Sequence, residues 1–167
     1  MTASTVKMTD KDALHIGVDT EARANVAEHL SRFLATTYTL YFKTLYYHWN
    51  VTGPHFHALH LLFEEQYQDL QQAGDALAER IRALGHFSPG TYREFEKLSA
   101  VSHDESLPKK SANMVQNLLR DNEICTQEAR KVLEAAEKAG DEVTVDMMVG
   151  RMGIHEKAAW MLRSTVE

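Results

Sequence analysis

The sequence contains few residues that interrupt helices: only 8 glycines and 3 prolines among 167 residues. This scarcity favours long helices over a fold with many turns. There is one cysteine, Cys125, so an intrachain disulfide is excluded, which is typical of a reducing compartment. Neither an apolar leader near the start nor a run of about eighteen apolar residues is present. We therefore expect a soluble cytoplasmic protein without a membrane partner.

An excess of positive charge is also missing. The formal net charge is −6, which does not favour non-specific binding to nucleic acid. Residues 1–20 carry two lysines against three aspartates and show no apolar periodicity. We expect a flexible tail over residues 1–20 and one folded domain over residues 21–167, because a chain of this length fits a single domain.

What the sequence does have is a stretch rich in histidine and carboxylate, which begins at His48. Gly53-Pro54 breaks the chain, so we expect His48 at the end of one helix and His60 near the start of the next. The second of these helices carries ligand-type residues in two pairs at i, i+4 spacing, namely His60 with Glu64 and Asp75 with Glu79.

The two pairs share one face of that helix but lie far apart along it. At ~100° per residue the four side chains fall within an arc of about 100°. However, the first members of the two pairs, His60 and Asp75, are separated by roughly 22 Å at ~1.5 Å rise per residue. A metal bond is about 2 Å long, so one straight helix cannot close both pairs around one ion. These four residues are either solvated polar side chains, as is usual on an exposed helix face, or the two parts of a metal site that is shared between chains.

A second copy of the chain is able to complete such a site. If two of these helices pack antiparallel about a two-fold axis near residues 69–70, residues equally far from the axis face each other. His60 then meets Glu79 of the partner subunit, and Glu64 meets Asp75 of the partner subunit. Two identical sites result, and a two-fold interface is the commonest way in which proteins pair.

The motif is also one that a known family shares. HWNVTGP from His48, then His60, then Asp75 and the AER that ends at Arg80, resembles the pattern of the Dps family, the DNA-binding proteins from starved cells. The ending IHEKAAWMLRS resembles the last helix of that family, and the resemblance extends from about Val26 to the C-terminus. It implies an all-α fold, a ferritin-like four-helix bundle with a long crossover between the second and third helices that carries a short helix.

The resemblance also implies a ferroxidase centre between subunits. By position, His48, His60 and Glu64 would come from one subunit, and Asp75 and Glu79 from its two-fold mate. The family commonly has aspartate at position 64. Glu64 keeps the negative charge there but moves the carboxylate by one methylene.

Several nearby residues allow two interpretations. In the family, a tryptophan at the position of Trp49 lies near the iron and absorbs stray oxidising equivalents, but an interface aromatic explains it equally well. His57 is i, i+3 from His60 and can share a metal with it, whereas extra histidines at a helix start, such as His55 and His57, are usually solvated. His155 lies on an apolar face and is expected to be a buried core histidine.

Apolar periodicity predicts the helices themselves. On the apolar stripes we expect Cys125 as a buried thiol, and Phe56, Val149 and Trp160 on the core side of their helices. The helices are expected at about residues 20–50, 54–84, 111–139 and 142–164, with a short one in TYREFEKL between the second and third.

Two further patterns concern metal. None of the 9 histidines has a glutamate three residues before it, which argues against a di-iron site inside one bundle, where Glu-x-x-His is used twice. The acids Asp141, Glu142 and Asp146 cluster where the last helix starts, and the helix dipole explains carboxylates there. In the family, acids in this region line three-fold pores through which iron enters, and Asp146 matches that position best.

The site chemistry and the resemblance together lead to one principal hypothesis. Mixed imidazole and carboxylate ligands suit iron oxidation, and three negative charges favour Fe(III) over Fe(II). The resemblance implies a ferroxidase in a hollow homo-dodecamer built from two-fold dimers. It would oxidise Fe(II) with hydrogen peroxide, or with dioxygen, and would store the ferric mineral, which protects against oxidative stress. Zinc is a competitor for the site because its affinity for such ligands exceeds that of Fe(II).

The alternative is a nucleoid-associated protein that condenses DNA and has little ferroxidase activity. DNA-binding tails in the family are usually rich in lysine or arginine, and residues 1–20 here are not. We therefore expect weak or absent DNA binding that is lost quickly with salt, and a gel shift at physiological salt separates the two hypotheses.

Overall fold

The computed structural model describes residues 14–165, which contain five α-helices and no strand. Helix α1 packs on α2 and α4, α4 packs on α5, and α3 lies against α1. The predicted all-α bundle, with a crossover that carries a short helix, is therefore confirmed. None of the helices in residues 14–165 has both the length and the apolar character that a membrane crossing needs. The helices are α1 (Thr20–Asn50), α2 (Phe56–Ala83), α3 (Tyr92–Leu98), α4 (Ser111–Ala139) and α5 (Glu142–Ser164).

Local capping chemistry sets several of the helix ends. Helix α1 begins after Asp19, whose carboxylate accepts a hydrogen bond from the backbone N–H of Glu21 at 2.8 Å. Helix α4 ends at Gly140, which has the left-handed φ of 65° that glycine adopts without strain. The next residue, Asp141, caps α5 by accepting from the backbone N–H of Thr144 at 3.1 Å. The tail predicted for residues 1–20 lies mostly outside the described residues.

The predicted start of the second helix at Pro54 is wrong by two residues. Gly53 has a φ of 109°, and its carbonyl accepts from the N–H of Phe56 at 3.0 Å, so these residues form a turn. His55 is the N-cap, and its side chain makes no capping hydrogen bond. Proline is tolerated both in such a turn and in the first helical turn, and the sequence alone does not distinguish the two.

The core lies between the four long helices, and its composition corrects three expectations. Cys125 and His155 are buried as predicted. Phe56, Val149 and Trp160 are instead 45%, 54% and 61% exposed. Phe56 is the first residue of α2 and precedes the part of the helix that enters the bundle. Helix α5 has apolar residues on more than one side, so periodicity did not indicate which side is covered.

A buried polar cluster ties the crossover to the bundle. Lys43 of α1 pairs with Asp121 of α4 at 2.6 Å, and both side chains are buried. Asp104 of the crossover lies 3.5 Å from the Lys43 ammonium and accepts a hydrogen bond from the Tyr47 hydroxyl. The hydroxyl in turn accepts from Asn117 at 2.9 Å. The position of the crossover is therefore fixed by charged and hydrogen-bonded contacts as well as by apolar packing.

The close approach of α1 and α2 depends on Gly74, and this gives a stability prediction. A Cβ at Gly74 would lie 2.8 Å from Cζ and 2.9 Å from Cε2 of the Tyr38 ring. Gly74→Ala is expected to lower the free energy of unfolding by about 1–3 kcal/mol, measured by urea denaturation. Gly150→Ala is the control, because no atom lies within 4 Å of its Cβ position and alanine should stabilise that helix by roughly 0.5–1 kcal/mol. Equal effects of the two changes would contradict the tight contact.

Candidate metal centre

Two histidines from different helices are held together by reciprocal hydrogen bonds. His48 lies in the last turn of α1, and its Nδ1 is 2.9 Å from the backbone carbonyl oxygen of His60. The Nδ1 of His60, near the start of α2, is 3.0 Å from the carbonyl oxygen of His48. A carbonyl oxygen only accepts, so each Nδ1 carries the hydrogen and donates. The neutral ring then keeps its lone pair on Nε2, the state in which histidine binds a metal.

The same two rings are stacked, which fixes their relative orientation. Their centroids are 3.8 Å apart and their planes are inclined by 18°. The Phe56 ring lies 5.2 Å from the ring of His60, and His48 is only 8% exposed. The turn between α1 and α2 and the packing around it therefore orient both imidazoles.

Glu64 joins these histidines on the same side of α2, one turn beyond His60. Its Oε1 is 3.5 Å from the hydroxyl of Tyr67, which is placed to donate to it. The Tyr67 ring is edge-on to the His48 ring, with centroids 5.1 Å apart and planes inclined by 67°. We call His48, His60 and Glu64 the histidine half-site. Tyr67 was not included in the site predicted from the sequence, although its i, i+3 spacing from Glu64 was a usable signal.

Asp75 and Glu79, which we call the carboxylate half-site, lie further along the same helix. Both are exposed, and α2 is unbroken from Phe56 to Ala83, so the axial separation from His60 to Asp75 remains about 22 Å. Within residues 14–165 of one chain, no three His, Cys, Asp or Glu side chains are grouped so that they could hold a metal ion. Each half-site is therefore incomplete on its own.

Arg80, which follows Glu79, does not compete for the carboxylate half-site. Its guanidinium pairs with Asp141 at 2.5 Å and donates to the Thr144 hydroxyl at 2.9 Å. Burial acts to raise the pKa of Asp141, but hydrogen bonds from Arg80 and Thr144 more than offset this, and the pKa is held below its usual value. Asp141 is thus engaged in joining α2 to α5, whereas Glu142 and Asp146 of the same acidic cluster are exposed.

The remaining candidates lie at the surface of the protomer. Trp49, next to His48, is 67% exposed. His55 and His57 are exposed at the start of α2.

His155 belongs to a separate buried network. Its Nδ1 donates to the Asn122 side-chain oxygen at 2.9 Å, and its Nε2 accepts from Arg151 at 3.2 Å. Arg151 also pairs with Asp69 of α2 at 2.8 Å. Burial, together with the positive charge of Arg151, lowers the pKa of His155 to about 3. His155 is therefore a neutral structural histidine whose two ring nitrogens are both occupied.

Comparison with known proteins gives consistent results. The model of the ferritin-like domain matches residues 27–167. A low temperature-induced protein of Nostoc sp. is 39% identical over 92% of this chain and 87% of its own. DNA protection during starvation protein 2 of Bacillus anthracis is 34% identical over 83% of this chain and 94% of its own. The crystal structure of the Dps protein of Vibrio cholerae, described as a ferritin-like diiron-carboxylate protein, has a TM-score of 0.87 and 33% identity, covering 91% of this chain and 95% of that one.

Proposed function

Because this chain belongs to the Dps family of ferritin-like proteins, we propose that it oxidises Fe(II) at sites shared between two subunits. The observation that carries this proposal is the pair of stacked imidazoles in the histidine half-site, whose Nδ1 atoms are engaged by backbone carbonyls so that both Nε2 lone pairs are left for a metal. The ferric product would be stored inside a hollow homo-dodecamer in the cytoplasm.

The combined ligand set has the chemistry that iron oxidation requires. His48, His60 and Glu64 from one subunit and the two carboxylates of the partner make two imidazole and three carboxylate ligands. Imidazole and carboxylate together suit iron centres with open positions. The three negative charges stabilise Fe(III) more than Fe(II), and so they favour loss of an electron.

The surface between the half-sites is compatible with an antiparallel pairing of two α2 helices. It is formed by the uncharged polar side chains of Gln68, Gln71 and Gln72, which are exposed in one protomer. Identical residues meet near a two-fold axis, where like charges would repel. An uncharged polar seam avoids that repulsion, and the pairing brings the histidine half-site of each subunit to the carboxylate half-site of the other.

Hydrogen peroxide is the proposed oxidant. Each peroxide molecule takes two electrons, one from each of two Fe(II) ions, and with two protons leaves as two water molecules. This stoichiometry consumes both reactants of Fenton chemistry without releasing hydroxyl radical, and so protects the cell from oxidative damage. With a net charge of −6, DNA binding by the assembled protein would be weak.

The test is an anaerobic titration of the protein with Fe(II), followed by addition of hydrogen peroxide. We expect two Fe(II) oxidised per peroxide, no spin-trapped hydroxyl radical, and a mineral-loaded assembly by light scattering. One Fe(II) oxidised per peroxide with a radical signal equal to that of free iron would contradict the proposal.

A further inference from the structure

The histidine half-site has two imidazoles fixed by backbone hydrogen bonds, but its carboxylate is held differently. Glu64 has three side-chain torsions, and its position decides where the metal-binding oxygen lies. Within residues 14–165, the Tyr67 hydroxyl is the hydrogen-bond donor to the Glu64 carboxylate, and no salt bridge of Glu64 is formed there. The orientation of Glu64 therefore depends on where Tyr67 is placed.

Tyr67 is itself placed by helix α1. Its ring contacts the Tyr41 ring with centroids 6.3 Å apart and planes inclined by 70°. The same ring is edge-on to His48 at 5.1 Å, and edge-to-face contacts of this kind are favourable arrangements of aromatic rings. Tyr67 thus contacts one histidine ligand with its ring and the carboxylate ligand with its hydroxyl.

We propose that Tyr67 is a positioning residue of the metal centre, an inference that rests on the proposed function. Its hydroxyl donates to Oε1 of Glu64, so the other carboxylate oxygen would be available to a metal, while its ring packs edge-on against the His48 imidazole. We expect the 3.5 Å separation of the hydroxyl from Oε1 to shorten in a metal complex, because hydrogen bonds around reacting groups are often long before the ligand binds. Partners of metal ligands typically contribute 10–100-fold to affinity or activity.

The experiment uses the assembled protein and Co(II), which binds without being oxidised under anaerobic conditions and has a visible spectrum that depends on its ligands. We expect Tyr67→Phe to weaken Co(II) binding by about 10-fold and to alter the Co(II) spectrum. Tyr92→Phe, which removes a hydroxyl from an exposed tyrosine of α3, should change neither. Tyr67→Leu, which removes the ring as well, should weaken binding further.

A double-mutant cycle separates positioning from general structural support. In a Glu64→Ala background, Tyr67→Phe should have no additional effect on Co(II) affinity, because the carboxylate that the hydroxyl holds is absent. An undiminished effect in that background, or a Tyr67→Phe protein with wild-type affinity and spectrum, would overturn the inference. If the wild-type protein bound neither Co(II) nor Fe(II), both the proposed function and the role of Tyr67 would be rejected. If the wild-type protein bound metal normally and Tyr67→Phe changed nothing, only the role of Tyr67 would be rejected.

Discussion

Replacing His60 by asparagine is expected to slow rapid Fe(II) oxidation by about 100-fold or more. The asparagine amide can still donate a hydrogen bond near the position of Nδ1, which in the native chain donates to the carbonyl of His48 at 3.0 Å. It has no counterpart of the Nε2 lone pair, so a metal ligand is lost while the local donor is kept. Loss of a direct ligand should cost at least as much as loss of the partners that orient it. Stopped-flow absorbance of the ferric product measures the rate.

The control for this prediction is His86→Ala, which removes a histidine beyond the end of α2. Its rate should equal that of the wild-type protein. His48→Asn should behave like His60→Asn, because the two rings have equivalent roles in the reciprocal pair. Rapid oxidation that survived both asparagine changes would remove the histidine half-site from the mechanism.

The second large effect concerns pH and the buried histidine. His155 has a pKa of about 3 in the folded protein, whereas a histidine in the unfolded chain titrates near 6.5. Below about pH 6.5 the unfolded chain therefore binds a proton that the folded protein does not. The contribution of His155 to stability is lost as the pH falls, by about 1.4 kcal/mol per pH unit. It sums to roughly 5 kcal/mol by the pH at which the folded residue itself titrates.

Urea denaturation at a series of pH values between about 6.5 and 4.5 measures this dependence. The wild-type free energy of unfolding should fall with decreasing pH more steeply than that of His155→Gln, which cannot titrate at this position. His86→Gln serves as the matched control and should keep the wild-type slope. Parallel curves for the wild type and His155→Gln would show that burial and the positive charge of Arg151 do not hold His155 neutral.

The sequence predicted well those helix ends that local capping chemistry determines. Asp19 as a cap and Gly140 as a stop are readable from residue type alone, and the structure has both in these roles. The expectations that failed concern exposure. Phe56, Val149 and Trp160 are apolar at helical spacing, but which side of a helix is covered depends on its neighbours in the fold.

The sequence supplied candidate residues for the site but not their geometry. Spacing identified His60, Glu64, Asp75 and Glu79 as a set that one straight helix cannot close. The reciprocal hydrogen bonds between His48 and His60 depend on the turn that joins α1 and α2. The placement of Tyr67 depends on how closely these helices pack. Both are tertiary features that periodicity in a single sequence does not contain.

The claim that each site is built by two subunits is tested most directly by complementation. His60→Asn subunits and Glu79→Ala subunits, each inactive when assembled alone, would be combined and the mixed dimers purified through two different tags. In a mixed dimer one site carries both defects and the other carries neither. We therefore predict about half of the wild-type oxidation rate per dimer. Mixed dimers as inactive as either parent would contradict a shared site, because sites formed within one chain would all remain defective.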